Sequence, residues 1–263
     1  MARLKSSTQF ARNLGKNEIL VPHLNNWFAN GVFPDEIPFV IHPNKEDDDA
    51  FHPSSATLCS RALQAKLDGI LPKQENRMES QKNFMFGHYS HALLQWVCVE
   101  QLGFAVWDDI EKDCDYYLLT DKGGNEYRVR GFPDIAKCTV PNVDPFLVDI
   151  KTCTAQLYGQ SNLPPFLLEK YQAQVKIYLD FEGLDKGIIL LVEKDSPHRF
   201  KEIVVERDDR YVSKTIARWE SVVDARAEGN ISPCTCDDPD SCPALNCYDT
   251  ETKINLDKTQ RTH

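Results

Sequence analysis

The chain has 263 residues, 41% hydrophobic and 27% charged, enough for a sizeable core and ordinary for a globular protein. No run of about 18 apolar residues occurs, so no helical membrane span is expected. The first residues have no apolar stretch after their basic ones, so no secretory signal is expected either and a cytoplasmic location follows. The net charge of −10 argues against a generic nucleic-acid coat, but not against an enzyme acting on a polyanion, whose site must itself be acidic to hold metal.

Arg3, Lys5, Arg12 and Lys16 form a basic N-terminal arm, and KEDDD at 45–49 reads as a solvated loop. Residues 1–52 are loosely patterned, with Pro22, Pro34, Pro38 and Pro43 interrupting any long element. HPSSATLCSRALQAKLDGI reads as a loop entering a helix, with Ser54, Ser55 or Thr57 as its cap. NFMFGHYSHALLQWVCVEQLG repeats its apolar residues at helical spacing and stops at Gly103. CDYYLLT and YRVRGF, joined by DKGGNE, predict a hairpin, and PFLVDIKT a third strand. PPFLLEKYQAQVKIYLDFEG is a helix opened by proline and closed by glycine. KGIILLVEKD has the pattern of a strand buried on both faces, and FKEIVVERD follows as another strand. The helix after it puts Val212, Ile216, Trp219 and Val223 on one stripe. Beyond Gly229 the chain is rich in Pro, Asp and Cys and ends in a polar tail. This order predicts an α/β fold with a mixed central sheet flanked by helices. The domains expected are an extension over 1–52, a core over 53–229, a Cys-rich segment over 230–250 that joins the N- and C-terminal segments through Cys59, and a tail over 251–263.

Asp134 and Asp149 stand in apolar runs where a carboxylate is costly unless a cation meets it. Carboxylates on adjacent strands, meeting at one end of a sheet, make a site for Mg²⁺ or Mn²⁺, which prefer oxygen ligands. Side chains alternate along a strand, so Lys151 projects to the same face as Asp149, with the Ile150 carbonyl nearby. A metal there would polarise a phosphodiester and lower the pKa of a bound water. The lysine would orient that water or stabilise developing negative charge. His91 adds an imidazole, favoured over His88 by its spacing from Gly87. Gln174 and Tyr178, four apart on one helix, present an amide and a phenol on one face.

Gly87-x-x-x-His91, Gly131-Phe-Pro-Asp134, Asp149-Ile-Lys151 and Gln174-x-x-x-Tyr178, in this order, resemble the RecB-type branch of the PD-(D/E)XK nucleases over roughly residues 54–247. The resemblance implies a restriction-endonuclease-like core and a metal-dependent DNA exonuclease, with a structure-specific endonuclease or a non-catalytic DNA-binding adaptor as alternatives. It implies that His91, Asp134 and Asp149 bind Mg²⁺ or Mn²⁺, that Lys151 is catalytic, and that Gln174 and Tyr178 organise the site. DNA is the implied partner, and a helicase, recombinase or single-strand-binding protein the kind of protein that would accompany it. If the chain is phage-encoded, the compartment is the host cytoplasm. The acidic chain is expected to bind single-stranded ends in a local groove lined by Lys151 and Arg61, with the N-terminal arm helping.

Of nine cysteines, Cys98, Cys114, Cys138 and Cys153 read as buried small hydrophobes. Cys234, Cys236, Cys242 and Cys247 crowd into fourteen residues, which in a cytosolic chain favours metal over disulfides. They could close a structural Zn²⁺ knot by themselves. Cys59, followed by Arg61, resembles the upstream cysteine of the iron–sulfur RecB-like nucleases, which implies a [4Fe–4S] cluster on four of these five cysteines. The spacing C-x-C-x₅-C-x₄-C departs from that group's usual C-x₂-C start.

Overall fold

The almost wholly apolar run KGIILLVE is the pattern of a strand covered on both sides. In the computed structural model, which describes residues 18–31, 50–71, 78–159, 163–194 and 199–248, it forms β5 (Lys186–Glu193), buried along nearly its whole length. β4 (Phe146–Cys153) pairs with it in parallel and β6 (Phe200–Glu206) antiparallel. β3 (Ile135–Cys138) adds antiparallel to β4, giving a mixed four-stranded sheet in the order β3-β4-β5-β6. β1 (Cys114–Thr120) and β2 (Glu126–Gly131) form the expected hairpin, but as a separate two-stranded sheet.

Helices close both faces. α5 (Pro165–Glu182) starts on Pro165 and ends at Gly183, whose φ of 65° is the left-handed turn a glycine accepts most readily. α6 (Asp209–Ala227) is capped by Asp208, which accepts from Tyr211 N at 3.0 Å. With α2 (Ser60–Leu67) they cover Leu147, Ile189 and Leu191, and Trp219 of the predicted stripe is fully buried there. On the other face α3 (Met78–Trp96), extended by a π-helical turn over Val97–Gln101, packs Leu94 and Val97 onto Val148, Ile150 and Ile188. α4 (Ala155–Tyr158) is a single turn after β4. The expected α/β fold, a mixed sheet flanked by helices with a cysteine-rich element tying the ends, is what forms.

Three local expectations change. Val21–Asn30 form a helix, α1, where the sequence reads as broken; Pro22 sits in the first turn, the one place a helix tolerates it. The Glu202 carboxylate of β6 accepts from Ile19 N at 2.7 Å and from Leu20 N and Val21 N at 2.5 Å, satisfying the first amides of α1. The cap of α2 is neither Ser54, Ser55 nor Thr57 but Cys59, whose sulfur accepts from Ala62 N at 3.4 Å. The strand β3 was hidden because four residues, IAKC, carry too short a pattern. The N-terminal arm, the acidic loop at 45–49 and the tail at 251–263 lie outside the described residues.

Candidate active site

β4 alternates its side chains between the two cores: Val148 and Ile150 to one, Leu147 and Cys153 to the other. Asp149 and Lys151 therefore share the face that α5 covers. The Lys151 Nζ stands 3.0 Å from Asp149 Oδ1 and 2.9 Å from Oδ2. Only the Oδ1 contact has hydrogen-bond geometry, so Oδ2 is buried without a donor. Asp134 lies immediately before β3, and the pairing of Ile135 with Val148 brings it beside Asp149. Its Oδ2 accepts from Ile150 N at 2.5 Å and its Oδ1 lies 3.0 Å from His91 Nδ1. The Ile150 amide is thus tied to Asp134. With Nδ1 committed to Asp134, Nε2 is the nitrogen His91 could give a metal.

Electrostatics follow from this packing. Burial pushes the Asp149 carboxyl up to about 6, against the pull of Lys151, and the neighbouring Asp134 charge adds to the rise. Burial also raises Asp134, but the His91 charge and hydrogen bond, Lys151 and the Ile150 amide outweigh it and hold the carboxyl low. Burial would lower the His91 imidazole, yet Asp134 raises it. Lys151 resists the same burial because two carboxylates face it, and it stays charged.

Gln174 and Tyr178 do come together: Gln174 Nε2 donates to the Tyr178 hydroxyl at 3.3 Å, which also accepts from Phe132 N at 3.3 Å. The phenol thereby fixes the backbone that carries Asp134. Gly131 makes this possible, because a Cβ there would meet Tyr178 Cε1 at 2.7 Å and the Pro53 ring at 3.0 Å. Gly131→Ala should cost about 1–3 kcal/mol in a urea unfolding curve, the usual penalty of an overpacked core. An unchanged midpoint would show that Tyr178 does not hold this backbone. Gly87 has no such requirement, since its nearest neighbour would be Thr152 Oγ1 at 3.6 Å.

Two neighbours escaped the sequence reading. Gln95 donates to the Asp134 carbonyl at 3.1 Å and is buried. It stands four residues after His91, so helical spacing was a usable signal. The Tyr171 ring lies 5.5 Å from Lys151 Nζ; nothing in the chain distinguishes it from an ordinary helix residue. His88 is exposed.

The second constellation is the cysteine cluster. The sulfurs of Cys59, Cys234, Cys236 and Cys242 all lie within 4.8 Å of one another. Cys59 and Cys242, 183 residues apart, approach to 3.5 Å, too far for a disulfide. Cys247 stands outside this group, its sulfur 4.0 Å from the Pro243 carbonyl. The irregular C-terminal segment reaches the cluster along α2. There the buried Gln64 donates to the Asn230 carbonyl at 2.9 Å and accepts from Ser232 N at 2.7 Å. Asp68 accepts from Tyr248 OH at 2.8 Å and from Arg226 Nε at 2.7 Å. Cys98, Cys138 and Cys153 are buried among apolar neighbours, and burial pushes the Cys98 thiol up to about 12. No helix of the described residues is long and apolar enough to cross a membrane.

The solved structure of SSO0001 is similar over 77% of this chain and 86% of its own, at 15% identity and a TM-score of 0.47. LHK-Exo, an alkaline exonuclease from Laribacter hongkongensis, is similar in its complex with dAMP over 82% of this chain and 94% of its own, at 11% identity and a TM-score of 0.44. A phage related exonuclease from Haemophilus somnus 129PT is similar over 68% of this chain and 95% of its own, at 12% identity and a TM-score of 0.32. No family model matches the chain, and no curated protein matches it.

Proposed function

We propose that the chain is a divalent-metal-dependent deoxyribonuclease that hydrolyses phosphodiester bonds and works from single-stranded ends. One observation carries this reading: two buried carboxylates, Asp134 and Asp149, converge beside one half-buried lysine, and Asp149 Oδ2 has no hydrogen-bond donor. A fold keeps a carboxylate oxygen without a donor in its interior at a cost that a bound cation would offset. Asp149, Asp134 and the His91 Nε2 are the atoms that would hold Mg²⁺ or Mn²⁺. When bound, the cation supplies polarisation of the phosphodiester and a water of lowered pKa. Lys151, held by Asp149, places a fixed positive charge where negative charge develops on the phosphate oxygens. Tyr178 and Gln174 hold the Phe132 backbone, and Gln95 the Asp134 carbonyl, so the ligands need not reorganise. The adaptor alternative would leave the Asp149–Lys151 pair without a purpose.

The four clustered cysteines are the ligands we assign to a structural metal centre. Their thiolate-only donor set, one ligand before the core and three after it, fits a [4Fe–4S] cluster. Their spacing favours a second reading, one Zn²⁺. A tetrahedral ion with bonds of about 2.3 Å holds its sulfurs roughly 3.8 Å apart, whereas a four-iron cube binds each thiolate at a different corner and spreads them farther. Iron, sulfide and zinc analysis of the purified protein separates the two.

The test of the enzyme reading is a time course on end-labelled linear and circular DNA, single- and double-stranded, with Mg²⁺, Mn²⁺ or EDTA. Loss of label from linear single strands, dependent on metal, is the expected result. Rapid cutting of circles would replace the exonuclease by an endonuclease.

A further inference from the structure

A cavity of about 580 Å³ opens between the N-terminal half of α5, the N-terminal half of α6 and the cysteine cluster. Its wall carries Lys170, Lys214 and Arg218 against two acids, Glu169 and Asp237. Lys170 and Lys214 are exposed and have no carboxylate partner among the described residues. Lys214 and Arg218 stand four apart on α6, so two like charges share one helix face, an arrangement that costs stability unless an anion sits between them. Arg218 donates through Nη2 to the Ala56 carbonyl, while its Nε is buried with no acceptor. Phe166, four residues before Lys170 on α5, leaves 73% of its surface in solvent beside them. The next residue on α5 after Lys170 is Tyr171, whose ring faces the Lys151 ammonium. The same helix therefore carries residues of the cavity wall and a residue of the acidic site.

We infer that this cavity is the binding groove for the single-stranded part of the DNA. Lys170, Lys214 and Arg218 hold successive phosphates, and a base stacks on Phe166. Lysines and arginines that track a backbone beside an exposed aromatic ring are the chemistry by which single strands are gripped without regard to sequence. The sequence led to a groove lined by Lys151 and Arg61 with the N-terminal arm helping; neither Lys151 nor Arg61 lines this cavity. The inference rests on the nuclease reading for its substrate, but binding and cleavage can fail separately. The cysteine cluster takes on a second role: Cys59 and Cys236 line the same cavity, so the metal centre also sets one wall of the groove.

The experiment uses the full chain, a fluorescent oligothymidylate and the variants Lys170→Glu, Lys214→Glu and Phe166→Ala. Lys170, Lys214 and Phe166 are all exposed, so folding is spared, and thermal melting and metal content confirm it. Arg218 is left intact because it supports the Ala56 backbone. Anisotropy in EDTA reads binding without cleavage, and a steady-state assay with Mg²⁺ reads KM and kcat. Each charge reversal is expected to weaken binding about tenfold and to flatten the log Kd against log salt line by about 0.7 for every phosphate the protein no longer holds. KM should rise accordingly, with a much smaller change in kcat, and Phe166→Ala should weaken binding without changing the salt slope. A wild-type protein that cuts DNA while all three variants keep its Kd, KM and salt slope overturns the groove and leaves the nuclease reading standing. A wild-type protein that binds through these residues but cuts nothing supports the groove and removes the nuclease reading. A wild-type protein that neither binds nor cuts removes both.

Discussion

Asp149→Ala and Lys151→Ala should each reduce metal-dependent DNA cleavage by about 1000-fold or more, the scale on which removal of one electrostatic stabiliser acts, while leaving the protein folded. Asp149 is the proposed ligand whose Oδ2 has no hydrogen-bond donor, and Lys151 stands within 3.0 Å of both of its oxygens. The fold tolerates either loss for a physical reason. Without Lys151 the Asp149 carboxyl, already pushed up to about 6 by burial, takes a proton instead of leaving an unpaired charge. Without Asp149 the lysine still faces Asp134, one of the carboxylates that keep it charged. Circular dichroism and melting of the two variants in EDTA, beside the cleavage assay, check both halves. Full activity in either folded variant removes this site from the mechanism.

Cys59→Ser should release the metal of the cysteine cluster and lower the melting temperature by roughly 10 °C. The proposed centre would join the start of α2 to the C-terminal segment, and a link closing so long a loop contributes about 5 kcal/mol by analogy with a disulfide. Cys247→Ser should leave the metal content unchanged, because its sulfur lies outside the group of four. Elemental analysis and thermal melting of the two variants check this. Equal metal loss in both would move the ligand set to include Cys247. A wild-type protein that carries no metal at all, with Cys59→Ser as stable, would leave the four thiols as packing alone.

The part of this molecule that could be read from its sequence is the part whose residues repeat a pattern or carry a visible penalty. Strand β5 announced itself by an unbroken apolar run, α6 by its stripe, and Asp149 and Lys151 by their intrusion into FLVDIK. Their juxtaposition followed from strand alternation alone, and the structure places both oxygens of Asp149 within 3.0 Å of the lysine. What could not be read depends on long-range contact. The α1 helix is stabilised by Glu202, more than 180 residues away, and by burial of Leu24 and Trp27, neither visible as local pattern. Spacing alone left open which four of the five cysteines gather; the path of the C-terminal segment, pinned by Gln64 and Asp68, brings Cys234, Cys236 and Cys242 to Cys59. The role of Gly131 was hidden too, since it exists only because Tyr178 approaches that backbone from another element.

The central claim is that the Asp134, Asp149 and Lys151 cluster hydrolyses phosphodiesters with a divalent cation. The most direct measurement is the release of acid-soluble nucleotides from single-stranded DNA by the wild-type chain and by Asp149→Asn. Both are purified identically and assayed with Mg²⁺, with Mn²⁺ and with EDTA. Release by the wild-type protein with either cation, abolished by EDTA and absent in Asp149→Asn, is the result the structure leads to. Release that persists in EDTA or in Asp149→Asn would contradict it.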